Sequence, residues 1–185
     1  MGESLSRKAA TAAVFAALYA VLVVALAPIS FLPLQVRVAD ALLPLTMLYG
    51  GSAALGLALG AIVANFVAGQ AFFGGWTPID VVGGGLANLA AGYLAWRLAY
   101  GRGRAVRVAA SLLQALLISL IVGSYLWVIF GLPSSYSIEP LGVVLPGLPA
   151  FWLLIGLGSV ISIVVLGNLL LEALLKSGIH ATKTN

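Results

Sequence analysis

Asp40, Asp80 and Glu139 are three of only five acids in the chain, and Arg37 is the one basic residue that falls near them. Gln35, Asn65, Gln70 and Asn88 add amide groups to the same stretches. A carboxylate accepts two adjacent N–H donors at once, and Arg, Gln or Asn can serve a neighbouring carbonyl. Asn88 follows Asp80 by eight residues, which on a helix is about 12 Å of depth on a similar face. The aromatics Phe31, Phe72, Phe73, Trp76, Tyr125, Trp127 and Tyr136 lie close by and can stack a ring. Gln35, Arg37, Asp40, Asn65, Trp76, Asp80 and Asn88 are therefore the candidate residues of a small-molecule pocket.

Each candidate also has a plain structural reading. Asp80 follows Thr77-Pro78 and suits the first turn of a helix. Arg37 and Asp40 are three residues apart and can form a local ion pair. Asn65 and Asn88 can tie helices together. Trp76 can anchor at a membrane surface. Glu139 reads as a solvated loop charge, and Glu172 with Lys176 reads as an i,i+4 pair. The run Gly83-Gly84-Gly85 reads as close helix packing, because no strand precedes it to make a phosphate loop.

Enzyme chemistry finds little support. His180 is the only histidine and there is no cysteine, so neither a Ser-His pair nor a thiolate or histidine metal site is expected. No G-x-x-x-x-G-K-[ST] loop occurs. No catalytic residue and no cofactor are assigned.

The elements that position these groups must be membrane helices. Of 185 residues, 62% are hydrophobic and 8% charged, against about 25% charged in soluble domains. The net charge of +4 does not mark a nucleic-acid binder, because the charges form short clusters between apolar runs. Ala25-Leu26-Ala27 resembles a signal cleavage site, but Pro28 hinders cleavage there and the segment is expected to stay as the first span. Apolar segments at 9–27, 79–96, 108–130 and 147–175 can each span. The stretch 41–69 reads as one long helix or as two short ones meeting at Gly50-Gly51. Eight of the nine Lys and Arg residues fall into three clusters, at 7–8, 97–107 and 176–183. Placing all three in the cytoplasm requires an even number of spans between them, which selects two short helices. The expected protein is all-α, a single membrane domain over 1–185, with six transmembrane helices and both termini cytoplasmic. It would be a multi-pass protein of the cell membrane. Loops 28–39, 70–78 and 131–146 then face outward, with the polar candidates beside them.

In the first span, Ala9, Ala13 and Ala17 form one row of small residues, and Ala12, Ala16 and Ala20 form a second. Small residues four apart let another helix approach closely, within the chain or on a partner.

The segment APISFLPLQVRVADAL at 27–42 resembles the APISYGPIQFRISEAL-type segment of the queuosine-precursor transporter (QueT-type) family. The likeness continues through LGAIVANFVAGQ and PIDVVGGGLANLAAGYL, to about residue 95. It implies a substrate-binding S component of an energy-coupling-factor (ECF) importer, working with a transmembrane coupling protein and two cytosolic ATPases. It also implies docking through the alanine rows and a 7-deazaguanine cargo, a precursor or salvage form of queuosine. A guanine-like edge offers paired N–H donors and a carbonyl. Asp40 or Asp80 would take the donors, and Arg37, Gln35, Asn65 or Asn88 the carbonyl. The family usually has Glu at the position of Asp40, and Ser and Thr at those of Gly85 and Asn88. Another vitamin, such as a flavin or pyrimidine, and a non-transporting scaffold are the competing readings.

Overall fold

A computed structural model describes residues 4–31, 35–138 and 142–179. Helix α1 spans Leu5–Ala25, and the Ser4 hydroxyl caps it by accepting from the Arg7 amide. A single turn, Ala27–Ser30, follows. Helix α2 spans Val38–Tyr49, α3 Gly51–Phe73, α4 Thr77–Ala99, α5 Arg104–Ile129 and α6 Gly147–Lys176. Among the described residues, α1, α3, α5 and α6 are long and apolar enough to cross a membrane. Helix α4 has 23 residues but carries Asp80, Asn88 and Arg97, which lower its apolarity. Leu18, Phe66, Leu86, Leu116, Leu157 and Leu169 all point outward, around the whole bundle. An apolar exterior of that extent suits lipid and not water. The chain is a multi-pass membrane protein.

The break at Gly50-Gly51 lies where the charge parity requires it. Gly50 has φ +78°, a left-handed conformation that suits glycine, and it separates α2 from α3. The two helices are not equally short, however. Helix α3 runs 23 residues, on to Phe73, so the outer loop expected from residue 70 shrinks to a turn at Gly74–Trp76.

Helix α2 departs from the expected form. Its first eight residues, Val38–Leu45, are 3-10 helix, and only Thr46–Tyr49 is α. Pro44 within it has no N–H to give to a helical ladder. The Leu43 carbonyl accepts from the Thr46 main-chain N–H, and also from the Thr46 hydroxyl at 2.8 Å and from Gln114 Nε2 on α5 at 3.0 Å. A 3-10 helix rises about 2.0 Å per residue, so α2 reaches about 22 Å, further than an α-helix of that length. It packs against all five other helices, and Ala39, Asp40, Leu42, Leu43, Pro44 and Leu45 are buried. A helix apolar all round belongs at the centre of a bundle.

The five longer helices surround α2, with neighbours in the order α1, α3, α4, α5, α6. Small residues set the spacing. A side chain at Gly60 of α3 would meet the Ala16 carbonyl oxygen at 2.6 Å and Tyr19 Cβ at 2.8 Å, and Gly56 is held as closely by the Ala12 carbonyl. One alanine row of α1 thus lies along α3, while Ala9, Ala13 and Ala17 are exposed. Gly158 of α6 presses on the Gln35 carbonyl.

Two expectations change. The segment 131–146, expected as a loop, holds an antiparallel ribbon, β1 Ser135–Ile138 against β2 Val143–Pro146, with Ser135 opposite Pro146. Glu172 does not pair with Lys176. It pairs with Arg107 of α5, at 2.5 Å to Nη2 and 3.2 Å to Nε, because the guanidinium fork presents two donors across the interface.

Candidate functional site

Asp80 opens α4, whose last turn carries Arg97. Arg37 and Asp40 stand at the start of α2, and Tyr125 stands in the last turn and a half of α5. These groups meet at the bundle end opposite the arginine-rich one. Three of them are ionisable and buried: Arg37 and Asp40 are each 5% exposed and Asp80 1%. Among the described residues Arg37 is the only buried cation. With two carboxylates beside it, the cluster sums to one negative charge when all three are ionised. Such burial within a membrane protein is costly, so it needs a purpose.

The carboxylates are held by tyrosines. Tyr19 of α1 donates its hydroxyl to Asp40 Oδ1 at 2.6 Å, and Tyr125 donates to Asp80 Oδ1 at 2.8 Å. Asn65 Nδ2 donates to the Asp80 main-chain carbonyl at 2.9 Å, and Asn88 Nδ2 to the Leu57 carbonyl at 3.4 Å. Both asparagines therefore tie α3 to α4. Gln35 Nε2 donates to the Ser30 carbonyl.

Several polar atoms are left without a partner. Arg37 Nε and Nη2, Asp80 Oδ2 and Asn65 Oδ1 are buried and make no hydrogen bond within the protein. An unpaired buried polar group costs about 1–3 kcal/mol. Donors from one strongly basic side chain and acceptors from a carboxylate and an amide stand ready together. That set matches a polar molecule carrying both donors and a carbonyl.

A cavity opens among Gln35, Arg37, Asp40, Asn88 and Ser159, with Ile118, Val122 and Ile155 as its apolar wall. Gly84 also lines it, and Asn65 lies directly behind Gly84. The space holds about one water molecule. Of the seven candidates, Gln35, Arg37, Asp40 and Asn88 share the cavity, while Asp80 and Asn65 adjoin it. The Trp76 side chain and Glu139 lie outside the described residues. The glycine triplet acts as spacing: Gly83 takes the Tyr125 ring, Gly84 takes Asn65, and Gly85 takes Ile62.

A row of aromatic rings adjoins the cluster. Phe31 stacks on Phe72 at 4.8 Å between centroids and 11° between planes. Phe73, Phe130, Phe151 and Tyr136 continue the row edge to face or tilted. The Arg37 guanidinium lies 5.3 Å from the Phe31 ring centroid, so the row and the charge cluster touch. Phe130 and Phe151 were not anticipated in this row.

Tyr19 and Ser159 were not among the candidates either. A signal for Tyr19 exists in hindsight of its helix: Phe15, Tyr19 and Val23 recur every four residues and form the buried face of α1. A hydroxyl on such a face needs an acceptor.

The family model described as QueT transporter matches residues 9–176. No curated protein and no solved structure matches the chain.

Proposed function

Since the chain belongs to the QueT transporter family, a family of transport proteins, we propose that it is the substrate-binding membrane subunit of an ECF-type importer that captures a 7-deazaguanine. One observation supports the substrate reading: Arg37 lines a cavity with buried donors left unpaired, and Asp80 and Asn65 hold buried acceptors that also lack a partner. In this reading Asp80 Oδ2 and the free oxygen of Asp40 receive the ring N–H and exocyclic amine, and Arg37 serves the ring carbonyl. Gln35 and Asn88 border the ring plane, and a stacking contact from Trp76 is part of the proposal. A bicyclic ring is larger than the present space, so binding widens the cavity. The Gln35–Arg37 stretch, which is not itself helical, is the wall that yields.

A panel of ligands in a thermal-unfolding assay tests the reading, because a ligand that binds only the folded state raises its stability. A 7-deazaguanine at 100 times its Kd should add about 2.7 kcal/mol, and mass spectrometry of co-purified small molecules should find the same ring. A shift with a flavin or pyrimidine alone would keep the importer and change its cargo. No shift with any small molecule would favour a scaffold.

The same reading places six spans in the membrane, counting α2 and α4, with both termini in the cytoplasm. The chain contains no cysteine, so single cysteines can report sidedness. An impermeant thiol reagent on intact cells should label Ser135→Cys and not Gly103→Cys. The reverse pattern would refute the orientation.

A further inference from the structure

At the arginine-rich end, α5 and α6 part to leave an open groove of about 360 Å³. Its wall is apolar along Val108, Val164, Val165 and Leu169, and its mouth carries Arg104 and Lys176. From Lys176 to Val165 the wall runs about 16 Å along the helix, close to half the roughly 30 Å hydrocarbon core. The groove is therefore as long as one leaflet is deep, with its charges at the surface.

Polar groups inside the groove are already matched. Glu172 is taken by Arg107, so the carboxylate neither neutralises Lys176 nor repels an incoming anion. Asn168 Nδ2 donates to the Val164 carbonyl at 2.9 Å, and its oxygen accepts from Ser111 at 3.3 Å. That bond serves the π-helical stretch Val160–Gly167, whose wider turn leaves carbonyls off the regular ladder. Arg104 and Lys176 make no ion pair among the described residues. Two free cations thus stand above a mostly apolar wall.

We propose that this groove binds one anionic phospholipid, with its phosphate between Arg104 and Lys176 and an acyl chain along Val108, Val164, Val165 and Leu169. Charge complementarity selects the headgroup. Basic pockets between membrane helices hold anionic lipid headgroups, and juxtamembrane cations attract them. The groove lies at the end of the bundle away from Arg37 and Asp80, so the inference does not rest on the substrate.

The test is retention of lipid by the full-length protein. It would be reconstituted in bilayers of equal phosphatidylglycerol and phosphatidylcholine, extracted mildly, and weighed by native mass spectrometry. Each cation is worth about a factor of five toward an anionic lipid, so one phosphatidylglycerol should be retained about 25-fold over phosphatidylcholine. Arg104→Ala with Lys176→Ala should bring the two lipids near parity. Arg97→Ala with Arg102→Ala removes the same charge outside the groove and should leave the preference intact. Val165→Trp keeps every charge but fills the groove, and it should lower phosphatidylglycerol occupancy. Arg104→Lys should retain the preference, which separates loss of charge from loss of fold. Preference surviving the Arg104/Lys176 pair, falling equally in the Arg97/Arg102 pair, or indifferent to Val165→Trp would each overturn the proposal.

Discussion

Asp80→Asn should weaken 7-deazaguanine binding by about 2–3 kcal/mol, roughly 30- to 150-fold, while leaving the ligand-free protein at least as heat-stable as before. The two effects have one cause. Asp80 Oδ2 is a buried charged acceptor with nothing to accept from, so the empty protein bears its desolvation cost. An amide there removes the charge, and Tyr125 can still donate to its oxygen. The ligand, however, loses one acceptor of a bidentate pair. Arg37→Gln should behave differently. It removes the only buried cation among the described residues, which costs about 3–5 kcal/mol of stability as well as the contact to the ligand carbonyl. Asp40→Asn should weaken binding by a similar 2–3 kcal/mol. Combining it with Arg37→Gln tests whether Asp40 acts only by orienting Arg37, since coupled partners are non-additive. Titration calorimetry and thermal unfolding in detergent read both quantities. If both Asn variants bind as tightly as the parent, the carboxylates are structural.

Ala13→Leu with Ala17→Leu should abolish transport in cells, at least ten-fold below the parent, with ligand affinity and thermal stability of the isolated subunit unchanged. Both alanines are exposed on α1, so added bulk costs the fold little. If that face receives a coupling protein, two leucines hold the helices apart. Gly60→Ala on the opposite contact should do the reverse. Its new methyl would stand 2.6 Å from the Ala16 carbonyl oxygen, which is backbone and cannot rotate away. Overpacking of this kind costs about 1–3 kcal/mol. It would also push Tyr19, 2.8 Å away at Cβ, off Asp40, so ligand affinity should fall with stability. Transport that persists with both leucines would remove the docking role from Ala9, Ala13 and Ala17.

The contrast between those variants shows where residue pattern stops being informative. Both alanine rows have the same spacing and the same residue type. Which row faces α3 depends on where Gly56 and Gly60 stand, some forty residues along the chain. The partner of Glu172 has the same origin. Lys176 is one turn away, but Arg107 reaches across from α5. Local spacing lists the available pairs, and packing chooses among them. The ribbon at Ser135–Ile138 was legible in principle, because serine alternates there with Tyr136 and Ile138, but prolines and glycines around it read as loop.

Membrane residence, the end of the bundle that carries the polar groups and the break at Gly50 were all readable from residue types. Each depends on a local or summed property: transfer free energy along a span, charge clustering, or one residue's allowed φ. Residue types grouped Arg37, Asp40, Asn88 and Asp80 as candidates, but how they meet was not readable in that way. It depends on α2 being a 3-10 helix enclosed by five neighbours, a form stabilised by Pro44 and by a Gln114 bond from 71 residues away. The tyrosines that hold the two carboxylates come from 21 and 45 residues away. A buried carboxylate must find its donor in space, and sequence distance carries no information about which hydroxyl will be there.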